Sequence, residues 1–123
     1  MSLTEFWTER HLCTLATIRR DGTPHVVPVG ATYDPETGIA RVITSGTSQK
    51  VRNVRDTGRV ALTQVDGHRW STLEGTAVIV TDPQAVADAE ERYARRYKIP
   101  RVNPARVVIV ITVSRVLGTY RPD

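Results

Sequence analysis

Turn-forming residues punctuate this sequence at short, regular intervals, and that spacing favours consecutive strands over longer-period elements. Leu12 to Ile18 alternates with β-formers and ends at the tight-turn pair Asp21-Gly22. His25 to Tyr33 reads as a second strand, interrupted by Pro28. Proline removes a ladder donor, so Pro28 marks an edge, a bulge or a strand end. After the loop Asp34-Pro35-Glu36-Thr37-Gly38, a third strand spans Ile39 to Thr44. Arg59 to Val65 and Trp70 to Val80 flank the hairpin turn Asp66-Gly67, and the longer of them is free to bend at Gly75. Arg106 to Leu117 contains the apolar run Val107 to Ile111, which suggests a strand covered on both faces, in a barrel wall or a subunit interface.

Helices interrupt this series. Ser2-Leu3-Thr4-Glu5 is a capping-box pattern ahead of Phe6-Trp7 and predicts a short first helix. Ser45-Gly46-Thr47-Ser48 opens a second, through about Arg55. Asp82-Pro83 supplies an N-cap and a first-turn proline for a third, to about Tyr97. On it Val86, Ala89, Tyr93 and Tyr97 share one face, while Glu90, Arg92, Arg95 and Arg96 fall mostly on the solvated faces. The expected architecture is mainly β (α+β): a six-stranded antiparallel barrel with short helices, residues 1–123 forming a single domain. No βαβ rhythm and no glycine-rich dinucleotide fingerprint follow the first strand.

One cysteine, Cys13, excludes an intrachain disulfide and fits a reducing compartment. No apolar run is long enough to span a bilayer. The opening MSLTEFWTER lacks the basic start and apolar stretch of a signal peptide, so the expected location is the cytoplasm, with no membrane partner. The 17 Lys+Arg against 13 Asp+Glu give a net charge of +4. Much of that surplus is ordinary solvated surface. Its functional reading is attraction for an anion. The arginines are scattered and aromatics are few, which ranks a phosphorylated small molecule above nucleic acid.

The strongest chemical signal is Thr44-Ser45-Gly46-Thr47-Ser48-Gln49-Lys50, where a strand ends, a hydroxyl-rich loop follows and a helix begins. The first turn of a helix offers unpaired N–H groups and a partial positive charge, and Lys50 adds a full one. A phosphate would relieve that conflict; the plain alternative is a capped helix with a surface lysine. Trp70, just after the Asp66-Gly67 turn, either faces a planar ring or packs in a core or dimer interface. Glu74 reads as an acid, a base or simply an ion-paired surface residue. His11, His25 and His68 share no metal-ligand spacing with one another or with Cys13, so no metal site is expected. Cys13 reads as a buried, inert thiol. No serine lies in a nucleophile elbow, and no catalytic residue stands out. Such a chain acts as an enzyme when a cofactor carries the chemistry.

Four stretches carry a family resemblance: Leu15-Ala16-Thr17 with Asp21-Gly22 and Pro24, then Ser48-Gln49-Lys50, then Trp70 through Glu74-Gly75, and Val116-Leu117-Gly118 at the end. In this order the chain resembles the pyridoxamine 5'-phosphate oxidase-like split β-barrel family over nearly its whole length. Gln64 to Trp70 and Arg92 to Tyr97 make it most similar to the branch of small reductases that use the deazaflavin coenzyme F420 on biliverdin.

The resemblance implies a homodimer with cofactor sites at the interface. Ser48, Gln49 and Lys50 would hold the phosphate, Pro28, Val29 and Thr44 would line the deazaflavin, and Trp70 would approach from the other subunit. It implies hydride transfer from reduced F420 to a conjugated organic acceptor such as biliverdin, a large molecule that would need an open, partly basic pocket for its propionates. FMN is the alternative cofactor, since the same phosphate motif serves it. The alternative from another class is a non-catalytic carrier of a flavin, haem or tetrapyrrole.

Overall fold

Gly30 is the one residue separating two strands that sit at opposite edges of the same sheet. The computed structural model describes residues 2–120. Its strands are β1 (Cys13–Ile18), β2 (Pro24–Val29), β3 (Ala31–Asp34), β4 (Ile39–Ser45), β5 (Arg59–Asp66), β6 (Arg69–Val80) and β7 (Arg106–Gly118). They form one antiparallel sheet in the order β2-β1-β5-β6-β7-β4-β3. The chain leaves β2 at one edge and enters β3 at the other with only Gly30 between them, so the sheet must curl until its edges meet. They meet through the chain and not through a hydrogen-bonded ladder, which makes the barrel a split one.

The count is therefore seven strands where six were expected. The predicted strand His25 to Tyr33 breaks at Gly30, not at Pro28. Pro28 stays inside β2 opposite Thr14, and β2 pairs with β1 alone, so the missing donor falls on an edge. A Cβ on Gly30 would lie 2.7 Å from Cε2 of Tyr93, so any larger residue at the crossing must displace that ring. The bend expected at Gly75 is present as a register shift between Glu74 and Gly75. A Cβ on Gly75 would lie 2.1 Å from the Thr112 carbonyl oxygen.

Leu15, Val42, Leu62, Leu73, Ile109 and Ile111 fill the inside of the curl, all almost wholly buried. Each contributes about 1.5–3 kcal/mol against exposure. Val107, Val108 and Ile109 are buried in succession, as the apolar run predicted, because one face of β7 looks into the curl and the other is covered. Cys13 is also buried, and desolvation pushes its thiol up from the ordinary value.

Three helices decorate the sheet: α1 (Leu3–Thr8), α2 (Gln49–Asp56) and α3 (Pro83–Arg96). Ser2 Oγ accepts from the Glu5 N–H at 3.1 Å, and Asp82 Oδ2 from the Ala85 N–H at 3.0 Å, both as the cap patterns indicated. Trp7 of α1 is buried edge-on to Tyr33, and its Nε1 donates to Ser71 Oγ at 3.0 Å. No helix among the described residues is long and apolar enough to cross a membrane.

Arg96 departs from expectation. It was placed with the solvated residues of α3 but is buried. Its guanidinium donates to the carbonyls of Glu9 (2.9 Å) and Ala31 (2.7 Å) and to Gln64 Oε1 (2.6 Å). It also lies 5.2 Å from the Trp7 ring centroid and 5.3 Å from that of Tyr97. A cation can be buried this way because every partner is a carbonyl or a π-face. Tyr97 adds to the same knot: its hydroxyl donates to the His11 carbonyl at 2.7 Å and accepts from the Ala31 N–H at 3.1 Å. Together they tie the end of α3 to the residue just after Gly30.

Candidate functional site

The curl places the Gly30 crossing beside the head of α2, and a cavity of about 590 Å³ opens between them. Pro28, Val29 and Gly30 form one wall, and Thr44, Ser45 and Lys50 another. Tyr93 and the segment after α3 close the far side. Four of the seven residues singled out from the sequence, Pro28, Val29, Thr44 and Lys50, thus meet at one cavity, although they lie on three different elements.

The others lie nearby or elsewhere. Ser48 is the N-cap residue of α2, but its side chain makes no capping bond and instead accepts from Thr44 Oγ1 at 3.4 Å. The expected cap bond is therefore not made, and the hydroxyl and the first-turn N–H groups keep capacity for an anion. Gln49 spends its side chain within α2, donating to Asn53 Oδ1 at 2.7 Å and accepting from Arg52 at 2.6 Å. Trp70 is not part of this wall. It stands opposite Val65 at the β5–β6 hairpin, 39% exposed.

The electrostatics of the cavity are one-sided. Both lysines of the chain, Lys50 and Lys98, line it, as do Arg101 and Arg106. No carboxylate, imidazole or thiol of the described residues does. Arg106 is neutralised by Glu90 at 2.7 Å. Lys50 is half-buried and has no hydrogen-bond or carboxylate partner among the described residues; desolvation alone lowers its pKa from the ordinary 10.5. An unpaired, partly desolvated ammonium beside an uncapped helix start is chemically suited to a phosphate. With no carboxylate, imidazole or thiol among the described lining residues, the cavity's lysines and the Tyr93 phenol bind and orient, and redox chemistry arrives with a ligand.

Glu9, His11 and Asp66 also converge, with ligand atoms within 4.8 Å of one another. The Arg69 guanidinium already bridges Glu9 and Asp66. Hydrogen bonding from His11, with Arg69 close by, holds the Glu9 carboxyl below its usual value. Glu74 lies on the surface 3.8 Å from Arg115, the ion-paired option among those its sequence position left open.

The sequence reading missed Tyr93, Lys98, Asn103 and Arg106 as cavity residues. The available signal was the turn pair Pro100 and Pro104, with Arg101 between them, Lys98 before and Arg106 after. Its importance appears only when Asn103 Nδ2 donates to Ser45 Oγ at 2.9 Å and the Gly46 N–H donates to the Ala105 carbonyl at 2.9 Å. These two bonds pin the segment after α3 to the loop before α2.

A curled antiparallel sheet split at one crossing, with an uncapped helix start and a lysine beside that crossing, defines a split barrel with a cavity suited to an anion. The model of the pyridoxamine 5'-phosphate oxidase family matches residues 2–120, and the chain belongs to that family. It is 57% identical over 114 residues to a Mycobacterium tuberculosis (strain CDC 1551 / Oshkosh) protein named F420H(2)-dependent biliverdin reductase, covering 93% of this chain and 83% of that one. Among solved structures, an F420 reductase superposes with a TM-score of 0.75 at 28% identity, over 95% of this chain and 98% of that one. The conserved hypothetical protein Rv2991 from Mycobacterium tuberculosis superposes with a TM-score of 0.78 at 29% identity, over 96% and 84%.

Proposed function

We propose that the protein is a coenzyme F420-dependent reductase that passes hydride to a conjugated organic acceptor, with biliverdin the first candidate. The observation that carries this reading is Lys50: half-buried, without an anionic partner among the described residues, in a cavity that no carboxylate lines. The names of the 57%-identical relative, an F420H(2)-dependent biliverdin reductase, and of the solved F420 reductase support the choice of cofactor.

In this account Lys50, the Ser48 hydroxyl and the backbone N–H groups of Gln49 and Lys50 hold the cofactor phosphate. Pro28, Val29 and Thr44 bound the ring system and fix the face it presents. When bound, reduced F420 supplies hydride from its C5 position. The protein contributes position: an acceptor is held against the exposed ring face, and the apolar wall excludes water from the transfer.

A homodimer belongs to the same proposal. Val26, Val65, Trp70 and Leu117 are 59%, 63%, 39% and 36% exposed. Strand register puts them on one outer face, since Val26 pairs with Ala16, Ala16 with Ala61, Val65 with Trp70, and Leu117 with Thr72. A second copy would cover this face, and Trp70 would then reach the partner's cavity.

The test is turnover. Reduced F420 and biliverdin are mixed with the purified protein and followed by absorbance. Recovery of oxidised F420 in step with loss of biliverdin supports the proposal. F420 binding without turnover on any acceptor would favour a carrier, and bound FMN in its place would favour the flavin alternative.

A further inference from the structure

The segment between α3 and β7 carries a pattern that the cofactor reading does not use. Lys98, Ile99, Arg101 and Val102 project from it in succession around Pro100. Ile99 and Val102 are 84% and 93% exposed, the two most exposed of the large apolar side chains. Neither Lys98 nor Arg101 has a side-chain partner among the described residues. The segment is nevertheless anchored. Asn103 bonds Ser45, Ala105 bonds Gly46, and Arg106 Nη1 donates to the Arg101 carbonyl at 2.9 Å.

Two hollows share this segment. The cavity already described takes Lys98 and Arg101 into its wall. A second groove, about 530 Å³, runs over Ala94, Ile99, Pro100 and Val102 and shares Ile99, Pro100, Arg101 and Asn103 with the first. Two cations without side-chain partners among the described residues thus stand on the segment that borders both the cofactor cavity and a largely apolar groove. Of the acids in the second groove, Glu90 is paired with Arg106, and Glu91 lines that groove alone. Its charge favours a ligand whose own acids point away from it, toward Lys98 and Arg101.

We infer that Lys98, Ile99, Arg101 and Val102 form the recognition rim for the hydride acceptor, and that the acceptor is an amphipathic organic acid. Its carboxylates meet Lys98 and Arg101, and its apolar body covers Ile99 and Val102. The cations give charge-assisted bonds and the aliphatic pair gives buried area. This inference rests on the proposed reductase function, and it names the acceptor's class and the residues that select it.

The experiment titrates biliverdin and its dimethyl ester, which lacks both acidic groups, into wild type, the double variant Lys98→Gln/Arg101→Gln and the double variant Ile99→Ser/Val102→Ser. Each titration is run with and without F420, and F420 affinity is measured separately. All four positions are exposed, so the variants keep the fold. Wild type should bind the diacid about ten-fold or more tighter than the diester. The cation variant should lose that preference, with a smaller fall in F420 affinity than in biliverdin affinity, since Lys98 and Arg101 also line the cofactor cavity. The aliphatic variant should weaken diacid and diester alike, by about ten-fold. Equal affinity of wild type for diacid and diester overturns the inference. So does a cation variant whose F420 affinity falls as far as its biliverdin affinity, since the cations would then serve the cofactor. If wild type does not bind F420 at all, the proposed function fails on its own, and the F420-free titrations still decide the rim.

Discussion

The ring of Tyr93 occupies the space that a side chain on Gly30 would need, with Cε2 2.7 Å from the position of a Cβ. Relief requires the ring to move toward the cavity it borders and away from Tyr97, on which it packs with centroids 4.9 Å apart. Gly30→Ala should therefore cost about 1–3 kcal/mol by overpacking. Gly75→Ala should cost more, because a backbone carbonyl obstructs it. Urea unfolding of both variants checks the order. Equal and negligible losses would mean that neither close approach is real.

Arg96→Met leaves the carbonyls of Glu9 and Ala31 and the Gln64 amide oxygen without their donor. The expected loss is about 3 kcal/mol or more. Arg96→Lys should recover only part of it, since one ammonium cannot reproduce the planar fork. Denaturant midpoints at constant m-value are the readout.

Much of this architecture was legible locally. The Asp82 cap, the Asp66-Gly67 hairpin, the bulge at Gly75 and the doubly covered β7 run each follow from a few neighbouring residues. What was not legible is non-local. Nothing near Gly30 announces that the chain changes sheet edges there, and the ring that crowds it, Tyr93, comes from distant α3 with Tyr97 behind it. Arg96 reads as a surface residue until four separate elements supply its carbonyls and rings. Lys98 and Arg101 reach the cavity because β7 pairs with β4, Arg106 opposite Ser45, a contact no local pattern encodes. The Ser48 to Lys50 motif was visible for the opposite reason, since a helix start and its cation are adjacent in sequence.

Lys50→Met should weaken F420 binding by about 2 kcal/mol, near thirty-fold, through loss of the charge partner for the phosphate. It should not lower the thermal midpoint of the ligand-free protein, because it removes a desolvated charge that no anion offsets. A fall in the midpoint with unchanged affinity would make Lys50 a structural residue.

The same lysine sets a pH dependence. Desolvation lowers its pKa in the folded chain below the ordinary 10.5. Between those two values the unfolded chain holds more protons, so the ligand-free fold gains stability as pH rises through that window. Phosphate binding requires the charged form, so F420 affinity should fall with rising pH, beginning below 10.5. Titrations across that range should show the fall in wild type and not in Lys50→Met.

Val65→Glu puts a charge in the exposed outer face beside Trp70. Sedimentation velocity should show a dimer for wild type and a monomer for the variant, with the circular dichroism of both unchanged. A monomeric wild type would contradict the dimer proposal and the role given to Trp70.

Fluorescence titration of wild type and Lys50→Met with F420, and with FMN in parallel, tests the central claim most directly. The account predicts saturable F420 binding by wild type, weaker binding of FMN, and loss of about thirty-fold in F420 affinity in the variant. Preference for FMN, or F420 binding that ignores Lys50, would contradict it.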